Sequence, residues 1–352
     1  MAQSVRMRRQ ASLTLNQPGQ KQVQTLSKGM LLRELVLRLN GTVTKAGTGA
    51  SFTGPNLGKG DEWSWLDRVE LIVNGTDAIR SLRGSQLVAL NKFLYGSYPR
   101  VSRMNLGNNT AGDYDSTLII PLWMPNSLRP MDTVLDTSKL SDIRVEVTTN
   151  TLAGFSDAGV NGVASLAANL DICTLESFGV EGKFSGSRIY PITANVPGAN
   201  AAFQMQLPVT SLYRGFLINA ATTSATPDRG ADLANAITNV RLVSGTQVYR
   251  DIPFSVLRDW QRLRTNGVRQ EIQNTAGQPF LTSLTTQPSY LNGRASDNFI
   301  EDGWAWMDLV HDGYLMEGID TLGLSELFLE FNVNAACTLT VIPFQVFPNR
   351  NG

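Results

Sequence analysis

The sequence predicts an all-β chain built as two tandem copies of one β-rich design, each with a short helix insert. Three observations carry that reading. Four short blocks recur in the same order in both halves of the 352 residues. Within them apolar residues alternate with polar ones, the period-two signature of half-buried strands. Charged residues make up only 17% of the chain, so Asn, Gln, Ser, Thr and 31 Gly supply the polarity, which favours turns and extended segments over salt-bridged helices.

Taken in order, the chain opens on Met1–Gln20, which is basic at Arg6, Arg8 and Arg9 and has no apolar stretch. It is not a secretory signal, and it reads as a flexible arm over residues 1–27. The first recurring block is Leu31-Leu-Arg-Glu-Leu-Val-Leu37 against Leu212-Tyr-Arg-Gly-Phe-Leu-Ile218. Leu35–Leu39 and Val69–Val73 read as strands, and Asn40-Gly41 and Asn74-Gly75 read as the turns that end them. The second block is Gly75-Thr-Asp-Ala-Ile-Arg-Ser-Leu82 against Gly245-Thr-Gln-Val-Tyr-Arg-Asp-Ile252.

A helix follows at the same place in each copy. Leu87, Leu90 and Leu94 lie at helical spacing within Ser85–Tyr95, with Gly96 as a C-cap. Val256, Leu257, Trp260 and Leu263 repeat this within Ser255–Arg264, which Asn266-Gly267 ends. The third block is the sharpest: Asp136-Thr-Ser-Lys-Leu-Ser-Asp-Ile-Arg-Val-Glu-Val147 matches Asp320-Thr-Leu-Gly-Leu-Ser-Glu-Leu-Phe-Leu-Glu-Phe331. The fourth pairs Cys173-Thr-Leu175 with Cys337-Thr-Leu339. The offsets drift, as expected when loops between shared elements differ in length. The copies are placed at residues 28–185 and 186–352, joined through a turn-rich crossing that Pro191 and Pro197 follow. The Gly/Ala/Asn/Thr stretches Thr42–Gly60, Met104–Asp115, Thr151–Asn169 and Ala220–Asn235 read as long loops.

Composition excludes several functions. Thirty basic residues balance thirty acidic ones, so the molecule as a whole is not an electrostatic nucleic-acid binder. A single histidine, His311, rules out a two-His zinc site within one chain, and two distant cysteines make neither a CxxC motif nor a disulfide scaffold. No run of about 18 apolar residues exists to span a membrane as a helix.

Tandem β-domains of this size, each with a strand–turn–helix insert, resemble the double jelly-roll major capsid proteins of tailless icosahedral viruses. The residues carrying the resemblance are Arg33–Gly41, Leu66–Gly75, Ile79-Arg-Ser-Leu82 and the helix from Leu87 to Gly96. They look like the first jelly roll of the bacteriophage branch, and the resemblance runs roughly from Lys28 to Phe347. It implies two eight-stranded antiparallel jelly rolls. It also implies homotrimers of pseudo-hexagonal outline that tile a shell beside neighbouring trimers and penton or other minor capsid proteins. The N-terminal arm is then expected to face an internal lipid membrane or the packaged genome, each basic residue giving on the order of 1 kcal/mol near a charged surface.

No cofactor, metal or catalytic site is expected, because each candidate has a plainer reading. Gly54–Gly60 has three residues, not four, before its Gly-Lys pair and lacks the phosphate-loop Ser or Thr. His311 with Ser325 makes a triad only on paper, without a Gly-x-Ser-x-Gly elbow. Asp61-Glu62, Asp113 with Asp115, and Glu301-Asp302 are acid pairs of the kind that glycosidases or hard cations use, and equally of the kind that ends loops. Trp63 with Trp65, and Trp304 with Trp306, fit same-face strand positions sealing a core or an interface. The sequons at Asn40, Asn74 and Asn108 read as turns. Cys173 and Cys337 read as equivalent buried positions. Arg258, Arg262 and Arg264 on the second helix are the candidate inter-subunit contacts, since the planar guanidinium suits interface pairing. A carbohydrate-binding or glycoside-hydrolysing β-sandwich, or a receptor-binding spike, stands as the alternative.

Overall fold

The first half carries strands β1 (Val5–Thr14), β2 (Lys21–Thr25), β3 (Leu31–Lys45), β4 (Leu66–Val73) and β5 (Asp77–Leu82). Helix α1 (Gly84–Tyr95) follows, then β6 (Ala111–Pro121), the short β7 (Leu135–Asp136), β8 (Ile143–Thr149), the single-turn α2 (Leu152–Phe155) and β9 (Val163–Ser177). This computed structural model describes residues 5–46, 61–95, 111–124, 127–156, 163–178, 184–225, 230, 232–264, 303–310 and 312–348. One sheet runs β1-β9-β3-β6 and the other β5-β4-β8-β2, antiparallel throughout. Their inner faces enclose Leu35, Leu37, Val69, Val145, Leu170 and Ile172.

The second half repeats the plan. Its strands are β10 (Phe184–Ile189), β11 (Ile192–Val196), β12 (Asn200–Gln206), β13 (Leu212–Ala221), β14 (Ile237–Ser244) and β15 (Gln247–Pro253). Helix α3 (Phe254–Arg264), β16 (Trp304–Asp308), β17 (Ile319–Asp320), β18 (Phe328–Val333) and β19 (Cys337–Pro348) complete it. Here β10 and β11 share one role, both pairing with β19. Pro191 lies between them and, lacking an N–H, interrupts the ladder. The sheets are β10/β11-β19-β13-β16 and β12-β18-β14-β15. Each half is therefore an eight-stranded sandwich of two four-stranded sheets, with its helix between the fifth and sixth strands.

Register relates the halves residue by residue. The ladder β3–β9 slips at Arg33, between Leu32 and Glu34, and β13–β19 slips at Arg214, between Tyr213 and Gly215. The third sequence block is in structural register: Val147 faces Val69 and Phe331 faces Val240. The retained Asp-Thr has a mechanical reason. Asp136 Oδ1 accepts from the Ser138 amide and Asp320 Oδ1 from the Leu322 amide, closing each turn. Thr137 Oγ1 donates to Met30 O and Thr321 Oγ1 to Ser211 O, both at 2.6 Å, tying the turn to the entrance of β3 or β13.

Several expectations change. Residues 5–14 and 21–25 are not a free arm. They are β1 and β2, because β9 and β8 offer open ladder edges more than a hundred residues away. Asn40-Gly41 does not end a strand; β3 runs on to Lys45. Gly41 serves close approach instead, since a Cβ there would collide with the Ala167 carbonyl of β9. Strands likewise occupy Thr42–Lys45, Ala111–Asp115, Val163–Asn169 and Ala220-Ala221, which the composition assigned to loops. Trp63 and Trp65 lie on a 3₁₀ turn, Asp61–Trp65, not a strand. Both are fully buried, donating to Ser116 Oγ and Leu15 O, each at 2.8 Å.

The two cysteines lie on the equivalent strands β9 and β19 but out of register. Cys173 faces Val36, whose counterpart Leu217 faces Ile342, whereas Cys337 faces Val196. Both thiols are free, and burial raises the Cys337 pKa. No helix among the described residues is long and apolar enough to cross a membrane.

Candidate functional site

Among the described residues, a buried polar cluster lies at the joint between the two halves. Strand β10 pairs antiparallel with β19 and also meets β5 in parallel, Ile189 opposite Arg80. That contact fuses one sheet of each half into a continuous ten-stranded sheet. Arg80 is wholly buried. Its Nε and Nη2 donate to Pro121 O at 3.0 and 2.8 Å, and Nη1 donates to Ile79 O at 2.9 Å. Across the joint, Nη1 donates to Ser187 O and Nη2 to Ser187 Oγ.

All these acceptors are neutral oxygens, so desolvation dominates and pulls the Arg80 pKa down to about 9. The guanidinium still carries its charge at neutral pH, and the carbonyl oxygens stabilise it. Alongside, Arg188 pairs with Asp77 of β5 and lies 5.4 Å over the Phe347 ring.

Apolar packing closes the rest of the joint. Trp304 and Trp306 point to one face of β16, as their spacing of two requires. They belong to the same apolar cluster as the first half's core, together with Leu212, Leu217, Ile342, Phe344 and Val346. Ala305 and Met307, on the opposite face, belong to the second half's own core. Trp306 meets Phe344 edge-on at 4.6 Å. Gly215 makes room for it, since a Cβ there would lie 2.8 Å from the indole. The buried Arg214–Asp308 ion pair lies beside this contact, with Arg214 5.8 Å over the Trp306 ring.

The other candidates are dispersed. Arg6 and Arg9 pair with Glu176 and Asp171 of β9, both at 2.7 Å, while Arg8 is exposed. Asp115 binds Arg38 at 2.5 Å and Asp113 accepts from Thr42 at 2.7 Å. The Arg38 hydrogen bonds hold the Asp115 carboxyl below the usual carboxylate range. Ser325 is exposed. His311, Gly54–Gly60, Asn108 and Glu301-Asp302 lie outside the described residues. Among the described residues, no three His, Cys, Asp or Glu side chains gather as a metal site. Arg258 Nη1 donates to Ala234 O at 3.3 Å, and the side chains of Arg262 and Arg264 lie outside the described residues.

Sequence reading missed the joint. Arg80 stands in the second recurring block opposite Arg250, so the signal was present, but its partner Ser187 lies 107 residues away.

With the pairing order of both halves on the page, comparison with solved structures is direct. The chain from Sulfolobus Turreted Icosahedral Virus superposes with a TM-score of 0.68 at 11% identity, covering 99% of this chain and 92% of that one. The major capsid protein of bacteriophage PM2 gives 0.61 at 11% identity, over 99% and 100%. The PBCV-1 virus capsid gives 0.60 at 11% identity, over 98% and 94%. The chain has the double jelly-roll fold. No protein-family model and no curated protein sequence matches it, so the double jelly roll is shared here without detectable sequence kinship.

Proposed function

We propose that this double jelly-roll chain is a major capsid protein that forms homotrimers and tiles an icosahedral virion shell. The observation that carries the reading is the pairing of two jelly rolls of equal strand plan into one fused body across the Arg80 joint. Two jelly rolls in each of three chains give six near-equivalent corners, a shape that packs a shell with neighbouring trimers. Support comes from solved structures that span nearly the whole chain and are named as the major capsid protein of bacteriophage PM2 and the PBCV-1 virus capsid.

On this reading the protein is structural, not an enzyme, and acts in the capsid shell. Its partners are neighbouring trimers, penton or other minor capsid proteins, and on the inner side a membrane or the packaged genome. Arg258 on α3 stays a candidate inter-subunit contact. Size-exclusion chromatography with light scattering tests the proposal. The expected mass is three times the 38.4 kDa chain. A strict monomer at high concentration, with glycan hydrolysis, overturns it.

A further inference from the structure

We propose that the open edge of β15 and the cavity beside Arg250 seat strand β1 of a second copy of this chain, with Met7 opposite Arg250. The inference rests on the trimer reading and names the contact that builds the trimer.

The seat is recognisable because the first jelly roll contains the same one, filled. Leu71 faces Arg80 in the β4–β5 hairpin, and Leu242 faces Arg250 in the β14–β15 hairpin. Each arginine donates Nη1 to the carbonyl of the residue before it, Ile79 at 2.9 Å and Tyr249 at 3.1 Å. In the first jelly roll β10 lies against β5, β7 and the turn Pro130–Thr133. The counterparts in the second are β15, β17 and the turn Leu315–Glu317. They line a cavity of about 330 Å³, bounded by Tyr249, Arg250, Leu309, Glu317, Ile319 and Asp320 among others. Strand β15 is an edge whose only ladder partner among the described strands is β14.

The occupant follows from the same register. Strands β1 and β10 each open a jelly roll and pair antiparallel with its last strand. Ser177 and Val346 are equivalent because they face Leu31 and Leu212. Val5 faces Ser177 and Ser187 faces Val346, so Val5, Arg6 and Met7 correspond to Ser187, Arg188 and Ile189. Arg6 lies 5.5 Å over the Phe178 ring, as Arg188 lies over Phe347.

Burial differs as a filled seat and a seat that no described strand of the chain fills require. Ile189 is fully buried, whereas Met7 is 61% exposed. Two residues back along each parallel strand, Val5 comes opposite Val248, and these apolar side chains are 48% and 45% exposed. Strands β1 and β15 end different sheets and do not pair within one chain, so the contact joins two chains head to tail. Such a contact closes a ring or grows a filament; three chains close it when each step, within or between chains, turns by one sixth.

The test pairs a cross-link with a disrupting variant. Parallel neighbours lie near the Cα separation that a disulfide accepts. Oxidising the double variant Val5→Cys/Val248→Cys is expected to give covalent dimers and trimers on non-reducing gels. Val5→Cys alone and Val248→Cys alone, as controls, are expected to give no such ladder. Met7→Asp, a position 61% exposed within one chain, is expected to stay folded, with an unchanged far-ultraviolet circular dichroism spectrum and a cooperative melt, while its mass falls from three chains to one. If the wild type is trimeric, yet the double variant gives no ladder and Met7→Asp stays trimeric, this contact is wrong and the trimer is built elsewhere. If the wild type is itself monomeric, the trimer reading fails and this contact with it.

Discussion

Strands β3 and β13 are the same strand of one design in two surroundings. Their inner faces agree, each packing on its own sandwich core. Their outer faces do not. On β13 every residue is buried, because Leu217 and its neighbours Trp306, Ile342 and Phe344 face the first jelly roll. The counterparts Val36, Ile119, Cys173 and Leu175 are only half-buried, and around them Arg38, Asp115, Asp171 and Arg9 form ion pairs. A duplicated domain thus diverged most where one copy gained a permanent neighbour in its own chain. The other copy kept a mixed face, with an apolar centre and a charged rim, which is the composition of a surface that meets a partner after folding.

The comparison breaks most visibly at the joint. Trp306→Ala is expected to cost about 3–5 kcal/mol by denaturant unfolding, because it opens a cavity between the jelly rolls, whereas Ile119→Ala on the half-exposed counterpart costs about 1 kcal/mol. Arg80→Ala is expected to cost about 3 kcal/mol, since it leaves the Pro121 and Ser187 oxygens buried without donors. Thr137→Val and Thr321→Val test where the copies agree. Each is expected to lose about 1–2 kcal/mol with the turn-to-strand clamp, and unequal losses would show that the clamp works in only one copy.

Smaller effects read the charged rim. Cys173 is expected to react with a thiol reagent more slowly in assembled wild type than in a monomeric variant, as its face becomes covered. The hydrogen bond from Arg38 lowers the Asp115 pKa, and those from Lys21 and then Arg144 lower that of Glu146. A depressed folded-state pKa contributes stability that is fully present above the unfolded value, near 4. It is lost as pH falls through the folded value. A shallow decline in melting temperature below about pH 4 is therefore expected, weaker in Arg38→Ala; a loss of stability near pH 7 would need another source.

Much of the fold was legible because its signals are local or repeated. Period-two alternation, the Asp-Thr turns and helices α1 and α3 all depend on neighbours within a few residues. What stayed hidden depends on distant partners. Strand β1 looks like a basic tail because its partners Asp171 and Glu176 lie more than 150 residues away. Gly41 looks like a turn residue because nothing nearby shows that β9 passes too close for a side chain. The joint itself was half visible: the repeat contained Arg80 and Arg250, but only the three-dimensional register shows that β10 fills one seat and that no described strand of the same chain fills the other.

The central claim is that one step relates the two jelly rolls within a chain and the jelly rolls of adjacent chains. Electron microscopy of the purified protein tests it most directly. The expected particles have a hexagonal outline with six similar lobes and three chains, with β1 of one chain against β15 of the next. Two-lobed single chains, or trimers in which β15 stays uncovered, would contradict it.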